Sequence, residues 1–277
     1  MASRHLNDFE VGVRTTLLVA LAALFAAPAM AVNTQTGFLD RAVTVGGESY
    51  RYQVYLPADY TPAKAWPLIV SLHGNGRQGS DGMRQTGTDF AIRVRENGAP
   101  FPAIVIFPQA RVRTRWFYPL MQQLVMAELD ATTSEFHVDR SRTYLHGYSM
   151  GATGSYRLAF KSPERFAAVV AVAGRIEPGA HYTPEEIAID RATNPAVASG
   201  DPFPAFAARL AKTPLWIVHG DADAQVPVDQ SRRLVAALKS VGAPVRYTEL
   251  PGADHDTAPR QAYADAELFR WLLNQRR

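Results

Sequence analysis

The sequence predicts an α/β protein with a mostly parallel central sheet, helices on both faces and an antiparallel hairpin at its N-terminal end. Continuous apolar runs, typical of strands buried on both faces, lie at residues 67–72, 103–107, 166–172 and 214–218. Segments with apolar residues three and four positions apart, typical of amphipathic helices, lie between or after these runs. Strands that alternate with helices in this way form βαβ units, which build parallel sheets.

The hairpin is predicted from alternating apolar and polar residues on either side of a glycine pair. Residues 42–45 and 50–56 flank Gly46-Gly47, and two glycines suit the turn of a two-residue hairpin. Further along, residues 175–211 are rich in Pro, Gly, Ala and Asp and have weak periodicity. We predict an irregular, lid-like insertion there, on the binding face of the sheet.

The composition is that of an ordinary globular protein, with 47% hydrophobic and 20% charged residues in a chain of 277. A chain of this length can bury a substantial core, and we predict one domain over residues 32–277. The formal net charge of +3 is dispersed, without a basic run interleaved with aromatic residues. Nucleic acid is therefore not an expected partner.

The first 31 residues have the pattern of a signal peptide. Arg14 precedes an apolar run at residues 15–25, and Ala29-Met30-Ala31 matches the small-x-small pattern of a cleavage site. The run is too short to cross a bilayer, so we expect no stable membrane anchor. We predict cleavage after Ala31 and a secreted or periplasmic protein. The chain contains no cysteine, which excludes disulfides.

A glycine-flanked serine lies between a predicted strand and a predicted helix. Residues 143–146 lead into Gly147-Tyr148-Ser149-Met150-Gly151, and the helix-compatible segment that follows ends before Pro163. In this context Gly-x-Ser-x-Gly forms a nucleophile elbow, a turn so tight that only small residues fit two positions before and after the serine. The pattern predicts that Ser149 is a nucleophile at the edge of the sheet.

A second glycine-rich stretch, residues 74–79, fits the dinucleotide pattern G-x-G-x-x-G. Two hairpin strands precede it, although a dinucleotide motif should follow the first strand of a βαβ unit. The next predicted strand also ends in Pro108-Gln109, where an acid that binds ribose would be needed. We favour a turn after His73 whose exposed backbone N–H groups stabilise an oxyanion.

An acidic loop and a histidine loop complete a possible catalytic triad. Asp221 and Asp223 follow the predicted strand at 214–218, and His255 follows the predicted strand at 245–250. A serine needs an imidazole to take its proton, and the imidazole needs a carboxylate on its other nitrogen. The residues alone leave Asp221 and Asp223 as alternatives, whereas Asp254, next to His255, is interpreted as a loop-shaping residue.

From residue 50 to residue 277 the chain resembles the predicted esterases related to polyhydroxybutyrate depolymerases and to feruloyl or acetylxylan esterases. The matching motifs are Tyr55-Leu56-Pro57, Leu72-His73-Gly74, Pro108-Gln109, Gly147-Tyr148-Ser149-Met150-Gly151, His219-Gly220-x-x-Asp223-x-x-Val226-Pro227 and Asp254-His255. This resemblance implies the α/β-hydrolase fold, and it selects Asp223 as the triad carboxylate. It also implies that the oxyanion donors are the backbone N–H groups of Asn75 and Met150. The sequence motifs of zinc proteases and P-loops are absent, and we expect no metal or organic cofactor.

The predicted function is an exported serine hydrolase that cleaves carboxylic esters through an acyl-enzyme. His73, Trp116 and Tyr148 are assigned to substrate binding, although the aromatic loop around Trp116 could equally pack onto the core. One alternative is a secreted peptidase or amidase with the same machinery. Another is an inactive protein of this fold that binds a polysaccharide or polyester.

Overall fold

The central sheet is nearly parallel, as the sequence predicts. The computed structural model describes residues 1–2, 35–96, 101–198 and 200–277. Within them, the strands are β1 (Gly37–Val45), β2 (Glu48–Leu56), β3 (Trp66–Leu72), β4 (Ile104–Phe107), β5 (Val138–Tyr148), β6 (Ala168–Val172), β7 (Leu215–Gly220) and β8 (Val245–Leu250). They form one sheet in the order β1-β2-β4-β3-β5-β6-β7-β8. The predicted signal peptide lies outside the described residues.

Among the described strands, only β2 runs opposite to the others. β1 pairs with β2, and β2 with β4, in antiparallel register, so the predicted hairpin and its Gly46-Gly47 turn are confirmed. From β4 to β8 every neighbouring pair is parallel. The carboxyl ends of β3 and β5–β8 therefore lie at the same edge of the sheet, where open α/β sheets bind ligands.

Helices cover both faces of the sheet in the described part of the chain. They are α1 (Asp89–Arg95), α2 (Pro119–Glu135), α3 (Met150–Lys161), α4 (Pro184–Thr193), α5 (Pro195–Ala198), α6 (Pro202–Arg209), α7 (Asp229–Ser240), α8 (Thr257–Ala264) and α9 (Ala266–Asn274). One buried cluster packs β3 through Leu68, Val70 and Leu72 against α2, α3, α6 and α7. Ile69 points to the other cluster, with α1, α8 and α9. This alternation places an apolar core on each side of the sheet.

The prediction that residues 175–211 are irregular was wrong, because the segment contains α4, α5 and α6. Three of its five prolines begin helices instead of breaking them: Pro184, Pro195 and Pro202 are each the first residue of one. Thr183 caps α4 through a capping box with Glu186. These helices are short and only partly buried, so their apolar periodicity is weak. The lid-like role of the segment stays a prediction.

Residues Gln35–Arg277 form one compact unit. Among the described helices, none has the length and apolar content that crossing a bilayer would require.

Candidate active site

Ser149 lies in the turn between β5 and α3 with a strained backbone. Its φ is 56° and its ψ is −120°, a conformation that residues other than glycine rarely adopt. The Ser149 N–H donates to the carbonyl of Val172 in the neighbouring strand β6, at 2.9 Å. Strain of this kind persists where the surrounding structure determines the backbone, and here it holds the hydroxyl at the carboxyl edge of the sheet.

The two glycines of the elbow are required by close backbone approach. A Cβ at Gly151 would lie 1.9 Å from the carbonyl oxygen of Leu72, and a Cβ at Gly147 would lie 2.3 Å from the carbonyl of Gly151. Both obstacles are backbone atoms that cannot rotate away. Only glycine therefore allows β5, α3 and the end of β3 to meet at this distance.

Ser149, His255 and Asp223 form a continuous chain of hydrogen bonds. Ser149 Oγ lies 2.7 Å from His255 Nε2, and His255 Nδ1 lies 2.6 Å from Asp223 Oδ2. The carboxylate can only accept, so His255 Nδ1–H donates to it and Nε2 is left to accept from the serine hydroxyl. Asp221 instead accepts the N–H of Gly252 at 2.6 Å on the surface. The geometry thus selects Asp223 from the two aspartates.

The carboxylate of Asp223 is buried and surrounded by donors. Its Oδ1 accepts the N–H groups of Gln225 at 2.9 Å and Val226 at 2.8 Å, and His219 Nε2 lies 3.3 Å from Oδ2. Burial alone would raise the pKa of Asp223, but the hydrogen bonds from His219, His255 and Val226 outweigh it and hold this pKa far below its ordinary value. The group is therefore an anion that orients His255.

His219 is a supporting residue that the sequence reasoning missed. It is fully buried at the end of β7, with Nε2 donating to the carbonyl of Val226 at 2.9 Å and Nδ1 accepting from the Ser231 hydroxyl at 2.6 Å. These contacts fix the ring beside the carboxylate of Asp223. Its place four residues before Asp223 in the His-Gly-x-x-Asp motif was the available signal.

Asn75 and Met150 occupy the positions expected of oxyanion donors. Met150 is the first residue of α3, and Asn75 is the first residue of the 3₁₀ turn Asn75–Arg77. The first N–H groups of a helix have no acceptor within the helix. Both residues line one cavity together with Ser149. An oxyanion at that point would also benefit from the positive end of the α3 dipole.

Of the three predicted substrate-binding residues, Tyr148 lies beside the triad. Its hydroxyl donates to the backbone carbonyl of His255 at 2.9 Å, and the two ring centroids are 5.1 Å apart. Tyr148 also lines a cavity of about 760 Å³ that contains Ser149. Its side chain therefore both supports the His255 loop and borders the space next to the nucleophile.

Of the other two residues assigned to substrate binding, Trp116 lies in the core, so its assignment was wrong, whereas His73 is buried at the lining of the cavity of about 760 Å³. Trp116 is completely buried, and its indole N–H donates to the carbonyl of His73 at 3.0 Å. His73 is 2% exposed: Nδ1 donates to the Gly74 carbonyl at 2.7 Å and Nε2 accepts the Ala110 N–H at 3.0 Å. Burial lowers the pKa of His73 to about 4, so the ring is neutral. Both side chains hold the loop that carries Asn75, and substrate binding by His73 stays a prediction.

Two cavities meet at the nucleophile. The cavity of about 760 Å³ on one side and a second cavity of about 650 Å³ on the other share Asn75, Ser149, Gln225 and His255. An ester bound with its carbonyl carbon at Ser149 could place its acyl half in one cavity and its alcohol half in the other. Throughout the described ranges, no group of three or more His, Cys, Asp and Glu side chains is arranged to hold a metal ion.

The sequence profile of the prolyl oligopeptidase family matches residues 121–276, more than half of the chain. The chain belongs to the prolyl oligopeptidase family. This match covers all three members of the hydrogen-bonded chain at Ser149. No curated protein sequence matches significantly.

Solved structures similar to this family member confirm the α/β-hydrolase fold. A thermostable esterase is 27% identical with a TM-score of 0.71; the match covers 87% of this chain and 63% of that one. A ferulic acid esterase is 19% identical with a TM-score of 0.68, over 87% of this chain and 98% of that one. The fluorophosphonate-binding serine hydrolase FphF of Staphylococcus aureus is 19% identical with a TM-score of 0.66, over 86% and 99%.

These neighbours, two esterases and a serine hydrolase, share the α/β-hydrolase fold with this chain. The chain spans about 63% of the length of the thermostable esterase. The predicted relationship to polyhydroxybutyrate depolymerases stays a prediction.

Proposed function

We propose that this protein is an exported serine hydrolase that cleaves carboxylic esters through an acyl-enzyme. The observation that carries the proposal is the chain of hydrogen bonds from Ser149 Oγ to His255 Nε2, at 2.7 Å, and from His255 Nδ1 to Asp223 Oδ2, at 2.6 Å. These are the contacts a serine needs to become a nucleophile at neutral pH. The strained backbone of Ser149 supports the same role.

In the acylation step, a bond forms between Ser149 Oγ and the ester carbonyl carbon while the hydroxyl proton moves to His255 Nε2. Negative charge develops on the carbonyl oxygen, and the N–H groups of Asn75 and Met150 stabilise it. The bond between that carbon and the alcohol oxygen then breaks, and His255 gives its proton to the departing alcohol. Asp223 stabilises the imidazolium throughout and stays ionised.

In the deacylation step, water repeats the role of the serine. His255 accepts a proton from water as the water oxygen bonds to the acyl carbon, and the Ser149 ester bond then breaks. The proton returns from His255 to Ser149 Oγ, which releases the carboxylic acid and restores the enzyme. Ester and water are consumed, and acid and alcohol are formed.

A peptidase or amidase is the second candidate, because the family profile is that of the prolyl oligopeptidases. Its leaving group would be an amine, which needs protonation by His255 before it can depart. A non-activated ester, methyl ferulate, and a peptidyl para-nitroanilide distinguish the two, since serine peptidases also cleave activated aryl esters. We expect the ester to be hydrolysed with the higher kcat/KM, and a higher kcat/KM for a peptidyl anilide would favour the peptidase.

The decisive experiment is covalent labelling of the purified protein with a fluorophosphonate probe. We expect labelling at Ser149, with loss of both labelling and ester hydrolysis in Ser149→Ala, by about 10⁴-fold or more in kcat. Ser134→Ala, which changes an exposed serine on α2, is the matched control. An unlabelled but folded wild-type protein would contradict the proposal and favour a binding protein without activity.

Export and the acyl group are the finer parts of the proposal. The predicted signal peptide at residues 1–31 supports export, and mass spectrometry of the mature N-terminus tests cleavage after Ala31. The likeness to a ferulic acid esterase supports a panel of methyl ferulate, acetylated xylan and a short polyester as substrates. An expressed protein that retains its first 31 residues inside the cell would contradict export.

A further inference from the structure

The cavity of about 650 Å³ beside Ser149 contains a buried arginine that the proposed mechanism does not use. Arg175 follows the carboxyl end of β6, after Ala173 with a φ of 54°. Its N–H donates to the Thr153 hydroxyl of α3 at 3.3 Å. The backbone of Arg175 is thus held next to the helix that begins at the nucleophile.

Within the part of the chain that the structure describes, the guanidinium of Arg175 has no carboxylate partner. Arg175 is 7% exposed, and its Nη2 donates to the backbone carbonyl of Gln225 at 2.7 Å. Across residues 35–96, 101–198 and 200–277, no acidic side chain lies within ion-pair distance of it. Burial lowers the pKa of Arg175, which shows that the surroundings do not compensate its charge fully. An arginine carries five N–H donors, so most of them are left for a ligand.

Other buried or half-buried arginines of the same region are paired, in contrast to Arg175. Arg157 forms a bidentate pair with Asp190, and Arg115 lies 2.7 Å from Glu186. The charge of a buried arginine is costly unless an anion neutralises it. Arg115 and Arg175 both line the cavity, and of these two only Arg115 has a carboxylate partner among the described residues.

Tyr182 holds the two arginines of this cavity in place. The guanidinium carbon of Arg115 lies 4.7 Å from the centroid of the Tyr182 ring, and that of Arg175 lies 5.8 Å from it. Burial lowers the pKa of the neighbouring His181, and the positive charges of Arg175 and Arg115 lower it further. This shift is consistent with a positive potential at the cavity wall.

The negative charge of Asp223 acts on Arg175 through space and raises its pKa. Its carboxylate is already occupied by His255, His219 and two backbone N–H groups. It therefore does not accept hydrogen bonds from Arg175. An anionic group of a ligand could accept them.

We propose that Arg175 binds a carboxylate carried by the substrate, so that the preferred ester is anionic. The inference rests on the proposed function, since the cavity must hold one half of the ester. A guanidinium binds a carboxylate with two parallel hydrogen bonds, which gives orientation as well as affinity. The carboxylate would be carried by the acyl half or by the alcohol half, whichever occupies this cavity.

Two matched pairs of substrates test the proposal and separate these sources. For the acyl half, the para-nitrophenyl monoester of adipic acid is compared with its neutral methyl ester. For the alcohol half, para-acetoxybenzoate is compared with methyl para-acetoxybenzoate. We expect one anionic substrate to have the higher kcat/KM of its pair, and Arg175→Gln to lower that anionic-to-neutral ratio about 10- to 100-fold.

Arg175→Lys keeps the charge without the planar fork and should restore part of the ratio. Arg77→Gln removes an exposed arginine from the other cavity and should leave the ratio within about twofold. An unchanged ratio in Arg175→Gln, or an equal loss in Arg77→Gln, would overturn the proposal. Fluorophosphonate labelling counts the reactive Ser149 sites in each variant. It therefore distinguishes a loss of nucleophile reactivity, which would contradict the proposed function, from a loss of the preference for anionic substrates.

The wild-type protein alone provides a second test if Arg175→Gln does not fold. We expect benzoate to inhibit hydrolysis of para-nitrophenyl acetate competitively, with an inhibition constant about tenfold or more below that of the neutral benzamide. Equal inhibition by the two compounds would overturn the anionic subsite. Hydrolysis of para-nitrophenyl acetate in the same assay shows whether the proposed function itself holds.

Discussion

Single residues decide how Ser149 is activated. Asp223 is the residue whose negative charge several hydrogen-bond donors stabilise. Its carboxylate accepts from His255 Nδ1 at 2.6 Å and from two backbone N–H groups. The donors hold its pKa far below the ordinary value against the effect of burial. The carboxylate therefore stays an anion that accepts from His255 Nδ1, which leaves His255 Nε2 facing Ser149 Oγ.

Asp223→Asn should leave the fold intact and lower kcat for para-nitrophenyl acetate by about 10³- to 10⁴-fold. The amide would donate to His255 Nδ1 and so place the imidazole proton on Nε2, where it cannot accept from Ser149. Steady-state kinetics and a thermal denaturation curve measure the two effects. Asp221→Asn, which changes the surface neighbour, is the control and should keep kcat within about threefold. Equal losses in both variants would contradict the role of Asp223.

At the scale of elements, a buried ion pair fastens α4 to α3. Arg157 of α3 is 1% exposed and donates twice, at 2.8 Å each, to the fully buried carboxylate of Asp190 in α4. Arg157 also donates to the Ile176 carbonyl at 2.7 Å. The segment that follows Arg175 is thereby attached to the helix that begins at the nucleophile.

Asp190→Ala should lower the free energy of unfolding by about 3–5 kcal/mol, because it leaves the guanidinium of Arg157 buried without an anion. Urea denaturation measures the loss, and limited proteolysis should show faster cleavage in α4. The double variant Arg157→Met, Asp190→Leu should regain most of the lost free energy of unfolding. Asp130→Ala, which breaks an exposed pair with Arg165, is the control with an expected cost below about 1 kcal/mol. A small loss in Asp190→Ala would show that the pair does not fasten α4.

At the scale of the whole molecule, stability should depend on a carboxyl group far from the site. Glu128 of α2 is completely buried, and within the described part of the chain neither of its oxygens has a hydrogen-bond partner. Burial raises the pKa of Glu128 well above its ordinary value. The folded protein therefore holds a proton that the unfolded chain loses above about pH 4.3. Stability from this group is complete below that pH and is lost as pH rises towards the native pKa.

Glu128→Gln should remove this dependence, since an amide has no proton to lose at these pH values. The variant and the wild type should have equal free energies of unfolding near about pH 4. Above that pH, the free energy of unfolding of the variant should exceed that of the wild type by up to about 1.4 kcal/mol for each pH unit, until the native pKa is reached. Urea denaturation from about pH 4 to about pH 8 measures the difference. Glu164→Gln, at an exposed position, should give no such gain. A constant difference between wild type and Glu128→Gln at every pH would contradict the buried, protonated state.

Much of the fold and part of the site could be predicted because their signals are local. Runs of apolar residues identify buried strands, the Gly46-Gly47 pair identifies the hairpin, and the glycines around Ser149 identify the elbow. The rule that parallel strands end at one edge then places His255 near Ser149. The helices at 184–209 were missed because short, half-buried helices that begin with proline lack a strong apolar period.

The sequence by itself determined the α/β class, the antiparallel hairpin and the position of the serine turn, since strand burial and tight turns depend on residues that are neighbours in the chain. Tertiary structure decided which aspartate faces His255 and that Trp116 lies in the core. It also decided that no carboxylate of the described residues lies within ion-pair distance of Arg175. Each of these depends on distances between residues far apart in the chain. A local pattern records what a residue prefers, whereas its partner, its burial and its uncompensated charge exist only after the sheet and helices have packed.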